Sequence, residues 1–266
     1  MNQRAFSSIF IADRSDKPRT SGLTMIIDYG MGLVRQEDIL KTIGPYIDLA
    51  KIRVGSAALY EESCLRSKIS LYQHYEVAVF PGGQFLEYAI SQGKLHEYFE
   101  EVKKYGFNLV EVSNNRLEIS PQEKGKIIQT AINRYGLKVL AETGSKVEAT
   151  SVRELIEDIQ RNLDGGAWKV LVEALEFFHE GVFQEEIVNQ IRKVIDPQVL
   201  IFEVPTRHTK DVDIHKRYST QAWLVRNMGI SVNIGNMDVE EVLQLEGLRR
   251  NLDSNMDLNK AQMGGL

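Results

Sequence analysis

One cysteine, Cys64, stands in the 266 residues, so no internal disulfide can form and a reducing compartment, the cytoplasm, is expected. No run approaches the roughly 18 consecutive apolar residues that cross a bilayer. The segment from Met1 to Thr20 carries Phe6, Ile9, Phe10 and Ile11 but then Asp13, Arg14, Asp16 and Lys17, which is no signal-peptide core. A basic excess is also missing: 32 Lys and Arg face 37 Asp and Glu, a net charge of -5 that argues against non-specific nucleic-acid binding. Five histidines show no metal-ligand spacing. There is no Gly-x-Gly-x-x-Gly after the first apolar run, no P-loop, no Gly-x-Ser-x-Gly elbow and no zinc pattern. These absences set aside dinucleotide, nucleotide and serine-hydrolase chemistry of the usual kinds.

What is present is a recurrence. Five short apolar runs stop on a carboxylate: Ile26-Ile27-Asp28, Leu109-Val110-Glu111, Leu140-Ala141-Glu142, Leu171-Val172-Glu173 and Ile201-Phe202-Glu203. Short β-branched runs separated by helical stretches read as buried parallel strands. Eight such segments are predicted: Leu23–Asp28, Ile47–Arg53, Val77–Phe80, Asn108–Val112, Leu137–Glu142, Lys169–Glu173, Val199–Val204 and Ser231–Ile234. Helical spacing predicts helices over Gln36 to Ile43 and Leu95 to Tyr105. Ser120 with Glu123 and Ser151 with Glu154 form capping boxes, Asp238 with Glu241 opens a further helix, and Gly106 and Gly136 end helices. Eight alternations with short turns predict an α/β fold, a (β/α)₈ TIM barrel in a single domain over residues 21–254. Residues 1–20 read as an N-terminal extension and 255–266 as a polar tail.

Active sites of such barrels form at the carboxyl ends of the strands. Collected there are Lys51, Arg53 and Ser56, then Gly82 and Gly83, then Glu111 and Ser113, then Glu142 and Lys146, then Glu173, Glu203 and Asn233. Carboxylates mixed with cations and glycines suit a small anionic substrate held partly through a hard, oxygen-liganded ion. Lys51 and Arg53 are two residues apart and so share one side of their strand. Buried cations there need anionic partners, either neighbouring acids or a ligand.

In order along the chain, these motifs resemble the phosphosulfolactate synthase family. The matching stretches are Ile27-Asp28-x-Gly30, Tyr46-Ile47-Asp48-x-x-Lys51, Phe80-Pro81-Gly82-Gly83-x-Phe85-x-Glu87, Glu111-Val112-Ser113-Asn114, Glu142-x-Gly144-Ser145-Lys146, Ile201-Phe202-Glu203-x-Pro205, Val232-Asn233-x-x-Asn236 and Leu245-Glu246-x-Leu248-Arg249. The resemblance implies a barrel that adds sulfite to phosphoenolpyruvate with Mg²⁺, giving (2R)-phospho-3-sulfolactate for coenzyme M synthesis, a carbon–sulfur lyase. It makes Lys146 the proton donor. On this reading Lys51 joins Lys146 as a catalytic residue, and Glu142 and Glu173, with Glu111 next, hold the metal. Arg53, Ser56, Gly82, Gly83, Ser113 and Asn233 bind substrate. A homo-oligomer is expected, with neither nucleic acid nor membrane as partner.

Two stretches depart from the family pattern. The usual Lys-Phe-Gly-Trp-Gly-Thr reads Lys51-Ile52-Arg53-Val54-Gly55-Ser56, and Glu-Ala-Arg-Glu-Ser-Gly reads Glu173-Ala174-Leu175-Glu176-Phe177-Phe178. An arginine suited to fork-like binding of an anion is thereby lost. Three readings stay open: Arg53 supplies the cation instead; Phe177 and Phe178 narrow the pocket for another substrate; or catalysis is gone and the barrel is a binding or stress-protective protein.

Overall fold

The computed structural model describes residues 5–144, 150–179 and 181–253. Its elements run β1 (Thr24–Asp28), α1 (Leu33–Ile43), β2 (Leu49–Ile52), α2 (Glu62–His74), β3 (Ala78–Pro81), α3 (Gly83–Ser91), α4 (Leu95–Tyr105) and β4 (Leu109–Val112). Then come α5 (Pro121–Asn133), β5 (Lys138–Thr143), α6 (Val152–Asp164), β6 (Lys169–Val172), a ribbon of β7 (Phe178–His179) and β8 (Val182–Phe183), and α7 (Glu185–Val194). The chain ends with β9 (Leu200–Glu203), α8 (Ile214–Met228), β10 (Ile234–Met237) and α9 (Val242–Arg249). Eight of the strands form one parallel sheet in the order β3-β2-β1-β10-β9-β6-β5-β4. Its end strands β3 and β4 lie side by side, so the sheet curls into a nearly closed (β/α)₈ barrel. No helix among the described residues is long and apolar enough to cross a membrane.

The two-residue period of each strand sorts side chains into two cores. Leu23, Met25, Leu49, Phe80, Leu109, Leu140, Leu171 and Ile201 point inward and fill the barrel. Their neighbours, among them Ile26, Ala50, Val79, Val110, Val139, Val170 and Phe202, point outward and meet the helices. Seven strands lie within two residues of the segments read from sequence. The eighth does not: β10 starts at Ile234, where Ser231–Ile234 was expected. The apolar signal fades there because the inward position is Gly235, whose missing Cβ leaves room for Met25, Ile201 and Glu203.

Both serine capping boxes form as read, and Gly106 takes the left-handed conformation (φ 96°) that ends α4. Asp238 opens the helical turn Val239–Glu241 that leads into α9, but it and Glu241 do not cap each other. They pair with Arg217 instead, Glu241 through both oxygens. The N-terminal extension is tied under the barrel rather than hanging from it. Arg14 pairs with buried Glu246, Arg19 with Asp48 at 2.8 Å, and Lys17 donates to the Tyr75 carbonyl at 3.0 Å.

Asp28 ends its strand like the other four acids but faces outward. It accepts from Gly30 N (2.9 Å), Met31 N (2.8 Å) and Tyr72 Oη (2.8 Å), and pairs at 2.8 Å with Lys68, which is wholly buried. Its role is to fix the β1–α1 turn and neutralise Lys68. Asp28→Ala strands that ammonium in the core, and removing one member of a buried pair costs about 3–5 kcal/mol. Urea unfolding at neutral pH is expected to show a loss of that size.

Candidate active site

Two residues beyond the inner apolar layer, each of five strands places a charged side chain on the same inner side. Leu49 leads to Lys51, Leu109 to Glu111, Leu140 to Glu142, Leu171 to Glu173 and Ile201 to Glu203. All five are buried. Four carboxylates in one layer repel unless something cationic stands among them, and Lys51 does. Its ammonium lies 3.0 Å from Glu111 Oε2 and 3.0 Å from Glu203 Oε1. Burial works against its charge, but Glu111, Glu203 and Glu142 outweigh that and hold it well above the usual lysine range. Lys51 is therefore a fixed cation, not a base. The ammonium donates to Glu203 and faces Glu111, so carboxylates neutralise it from two strands.

Glu142, Glu173 and Glu203 each offer an oxygen within 4.8 Å of the others. Glu142 is steadied from both sides: Asn115 Nδ2 donates to Oε2 at 2.6 Å, and buried Lys124 donates to its carbonyl at 2.5 Å. Glu203 gives Oε1 to Lys51, while its buried Oε2 finds no hydrogen-bond partner among the described residues. A buried carboxylate oxygen is costly to leave unsatisfied. An oxygen-only donor set with such an atom fits a hard divalent ion such as Mg²⁺. Glu111, expected to join that set, is turned to Lys51 instead.

Above this floor opens a cavity of about 520 Å³. Gly82 and Gly83 form part of its wall, and both need to be glycine. A Cβ on Gly82 would sit 2.9 Å from Val54 N, and one on Gly83 would collide with Ser113. Helix α3 begins here with Gly82 as N-cap, so its partially positive amino end borders the cavity. The rim is cationic, with Arg53, Arg116 and Lys210. Tyr29 lies between two guanidiniums, Arg53 at 5.3 Å and Arg207 at 4.2 Å from its ring centre. Leu175 adds an apolar patch to the wall.

The sequence profile of (2R)-phospho-3-sulfolactate synthase (ComA) matches residues 12–255. A phosphosulfolactate synthase of Methanocaldococcus jannaschii is 34% identical over 242 residues, 87% of this chain and 92% of that protein. One of Methanothermobacter thermautotrophicus is 32% identical over 251 residues, 90% and 92% of the two chains. The chain belongs to the phosphosulfolactate synthase family. A more distant relative, Protein HEAT-STRESS-ASSOCIATED 32 of Arabidopsis thaliana, is 21% identical over 266 residues, with 89% of this chain and 88% of the relative covered. Among solved structures, the YdjI aldolase of Escherichia coli K12 superposes with a TM-score of 0.55 at 14% identity, covering 92% of each chain, a likeness of fold alone.

Within this family frame the expected site residues divide. Lys51, Arg53, Gly82, Gly83, Glu111 and Glu173 line the cavity, and Glu142 joins Glu173 and Glu203 beneath it. Ser56 does not line it; its hydroxyl donates to the Arg53 carbonyl at 2.6 Å, closing a turn. Ser113 is buried and donates to Glu87. Asn233 lies at the opposite end of the barrel, because β10 starts after it. Its amide donates to the Gln198 and Leu200 carbonyls (3.0 and 2.7 Å) and accepts from Leu23 N at 2.9 Å. Phe177 does not narrow the mouth: it packs outward on Phe183 and Phe202, with Phe178 beside it. Lys146 lies outside the described residues. Sequence reading places Tyr29 and Asn115 at the strand ends without giving them a role and misses Arg116 and Lys210, because loops carry no periodicity that marks direction.

Lys51→Met removes the cation from among these buried carboxylates and is expected to cost about 3–5 kcal/mol. The raised folded pKa fixes how this depends on pH. The contribution is complete below the unfolded value of 10.5 and is lost only as pH climbs toward the higher folded one. Unfolding of both proteins under chelator is expected to give a gap that is flat from pH 7 to 10 and shrinks above.

Proposed function

We propose that the chain adds sulfite to phosphoenolpyruvate in a Mg²⁺-dependent reaction, forming (2R)-phospho-3-sulfolactate. The observation that carries this reading is the buried Glu142–Glu173–Glu203 cluster beside Lys51, beneath a rim of unlike charge. Glu142, Glu173 and Glu203 would hold Mg²⁺, which when bound supplies Lewis-acid stabilisation of charge on the substrate carboxylate. The chain does the rest by position and charge. The sulfur lone pair of sulfite forms a bond to C3 of the enol phosphate, and the C2–C3 π pair moves toward C2 and the carboxylate. A proton is then delivered to C2, leaving the phosphate ester intact. Lys51, a permanent cation, stabilises the developing negative charge from below and takes no proton. Arg53 binds phosphate, with the Gly82-Gly83 backbone as an oxyanion contact. Lys146, following Gly144 past the end of β5, is the proton donor by its family match.

A second reading, a family member without this catalysis, is favoured by Leu175 in the cavity wall. It is decided by incubating the protein with phosphoenolpyruvate, sulfite and Mg²⁺ and looking for the sulfonate. The synthase reading expects product, its loss on chelation and its return with Mg²⁺. No turnover at high enzyme concentration rejects it. Glu173→Gln is expected to lower kcat/KM on the order of 100-fold and to weaken Mg²⁺ binding measured calorimetrically without substrate. Lys146→Ala is expected to lower kcat by about 10²–10⁴ and leave that Mg²⁺ affinity unchanged.

A further inference from the structure

Most cations around the mouth are spoken for. Lys51 serves Glu111 and Glu203, Arg207 pairs with Asp238 at 3.2 Å, Arg217 with Glu241, and Lys124 with Asp158 at 3.3 Å. Arg53 and Arg116 differ. Both line the cavity, and among the described residues neither guanidinium makes a hydrogen bond or ion pair. Arg53 has the Tyr29 ring.

Arg116 stands on a braced stretch of loop. Glu87 reaches up from α3, only 2% exposed, and gathers the Ser113 hydroxyl and three successive backbone donors: Asn115 N at 3.0 Å, Arg116 N at 2.6 Å and Leu117 N at 2.8 Å. Hydrogen bonds to an ionised acceptor are the strong ones, and three in a row fix the backbone beneath the Arg116 side chain. The same stretch sends Asn115 down to Glu142. One buried carboxylate thus sets the rim cation and a floor acid together.

The sheet order places Arg116 opposite the usual phosphate position. Parallel barrels often bind phosphate in the loops after their last two barrel strands, here β9 and β10. In the order β3-β2-β1-β10-β9-β6-β5-β4, closed by β3 against β4, strand β4 lies across the ring from β10, and Arg53 follows β2, midway between the two. We infer that Arg116 holds the second anion of the reaction, the small oxyanion nucleophile, on the side of the mouth opposite the β9 and β10 loops, with the phosphate between, held by Arg53 a quarter turn away. Bringing an anion toward a phosphorylated acid over an acidic floor is opposed by repulsion, and a planar guanidinium fork offsets it. Glu87 acts as a positioning residue through Arg116. The inference deepens the proposed synthase reading and rests on it for the identity of the anion.

Steady-state kinetics of Arg116→Ala, an exposed position that leaves folding intact, provide the test. KM for sulfite is expected to rise about tenfold or more with KM for phosphoenolpyruvate within about twofold, and Arg53→Ala to show the reverse. An unchanged sulfite KM, or an equal rise in both, overturns the inference. Calorimetric binding of sulfate, an oxyanion that cannot react, separates this from the synthase reading. If the wild type makes no sulfonate but Arg116→Ala weakens sulfate about tenfold, the anion site stands and the synthase reading falls. Equal sulfate affinity in the two proteins, or none in the wild type, overturns the site whatever the turnover. Glu87→Gln is expected to reproduce the sulfite defect and to add nothing on top of Arg116→Ala. Additive effects would make Glu87 merely structural.

Discussion

Among the described residues, the cation at the centre of this barrel's mouth is Lys51. Strand geometry puts Glu111, Glu142, Glu173 and Glu203 in a single inward layer, and four buried negative charges at that spacing do not coexist without compensation. Lys51 supplies it from β2, touching Glu111 on one side and Glu203 on the other. The layer keeps a second feature: one oxygen each of Glu142, Glu173 and Glu203 lie within 4.8 Å of one another. The lysine makes the acidic layer foldable by standing between two of its four carboxylates.

The rest of the site is arranged around keeping that layer rigid and reachable. Lys124, Asp158 and Thr143 tie the end of β5 to helices α5 and α6, behind Glu142. Glycines do the opposite job of leaving room. Gly83 lets Ser113 and Glu111 approach across the β3–β4 seam. Gly144, at φ 102°, would bring a Cβ to 2.6 Å from Glu176 and 3.1 Å from Glu173. Small residues at these points are demanded by what stands next to them. The change at the sixth-strand loop fits the same logic: Phe177 and Phe178 build an aromatic cluster behind the site, and of the altered residues Leu175 reaches the cavity beside Glu173.

Much of this was legible beforehand, and the reason is periodicity. Seven of eight barrel strands, both serine capping boxes and the glycine end of α4 follow from local rules that a short window contains. The family motifs carried the identity of Lys51, Glu142 and Glu173. Failures fall where local pattern ends. Gly235 blurred the last strand and so sent Asn233 to the wrong end of the barrel. Asp28 carries the same apolar-run-then-acid pattern as Glu111 but sits on the other face of its strand, bound to Lys68 and Tyr72.

The sequence by itself determined the alternation of strand and helix, and with it which residues share a face, because a two-residue period is written residue by residue. It determined that acids and cations would meet at one end of the barrel. Only the tertiary structure decided which acid answers to which cation. Glu111 and Glu203 lie on strands remote in sequence from Lys51, and their distances to it depend on barrel closure and strand stagger, which no local window contains. The same closure set Arg116 over the mouth by way of Glu87, a contact between α3 and the loop after β4 that exists only once both strands are in place.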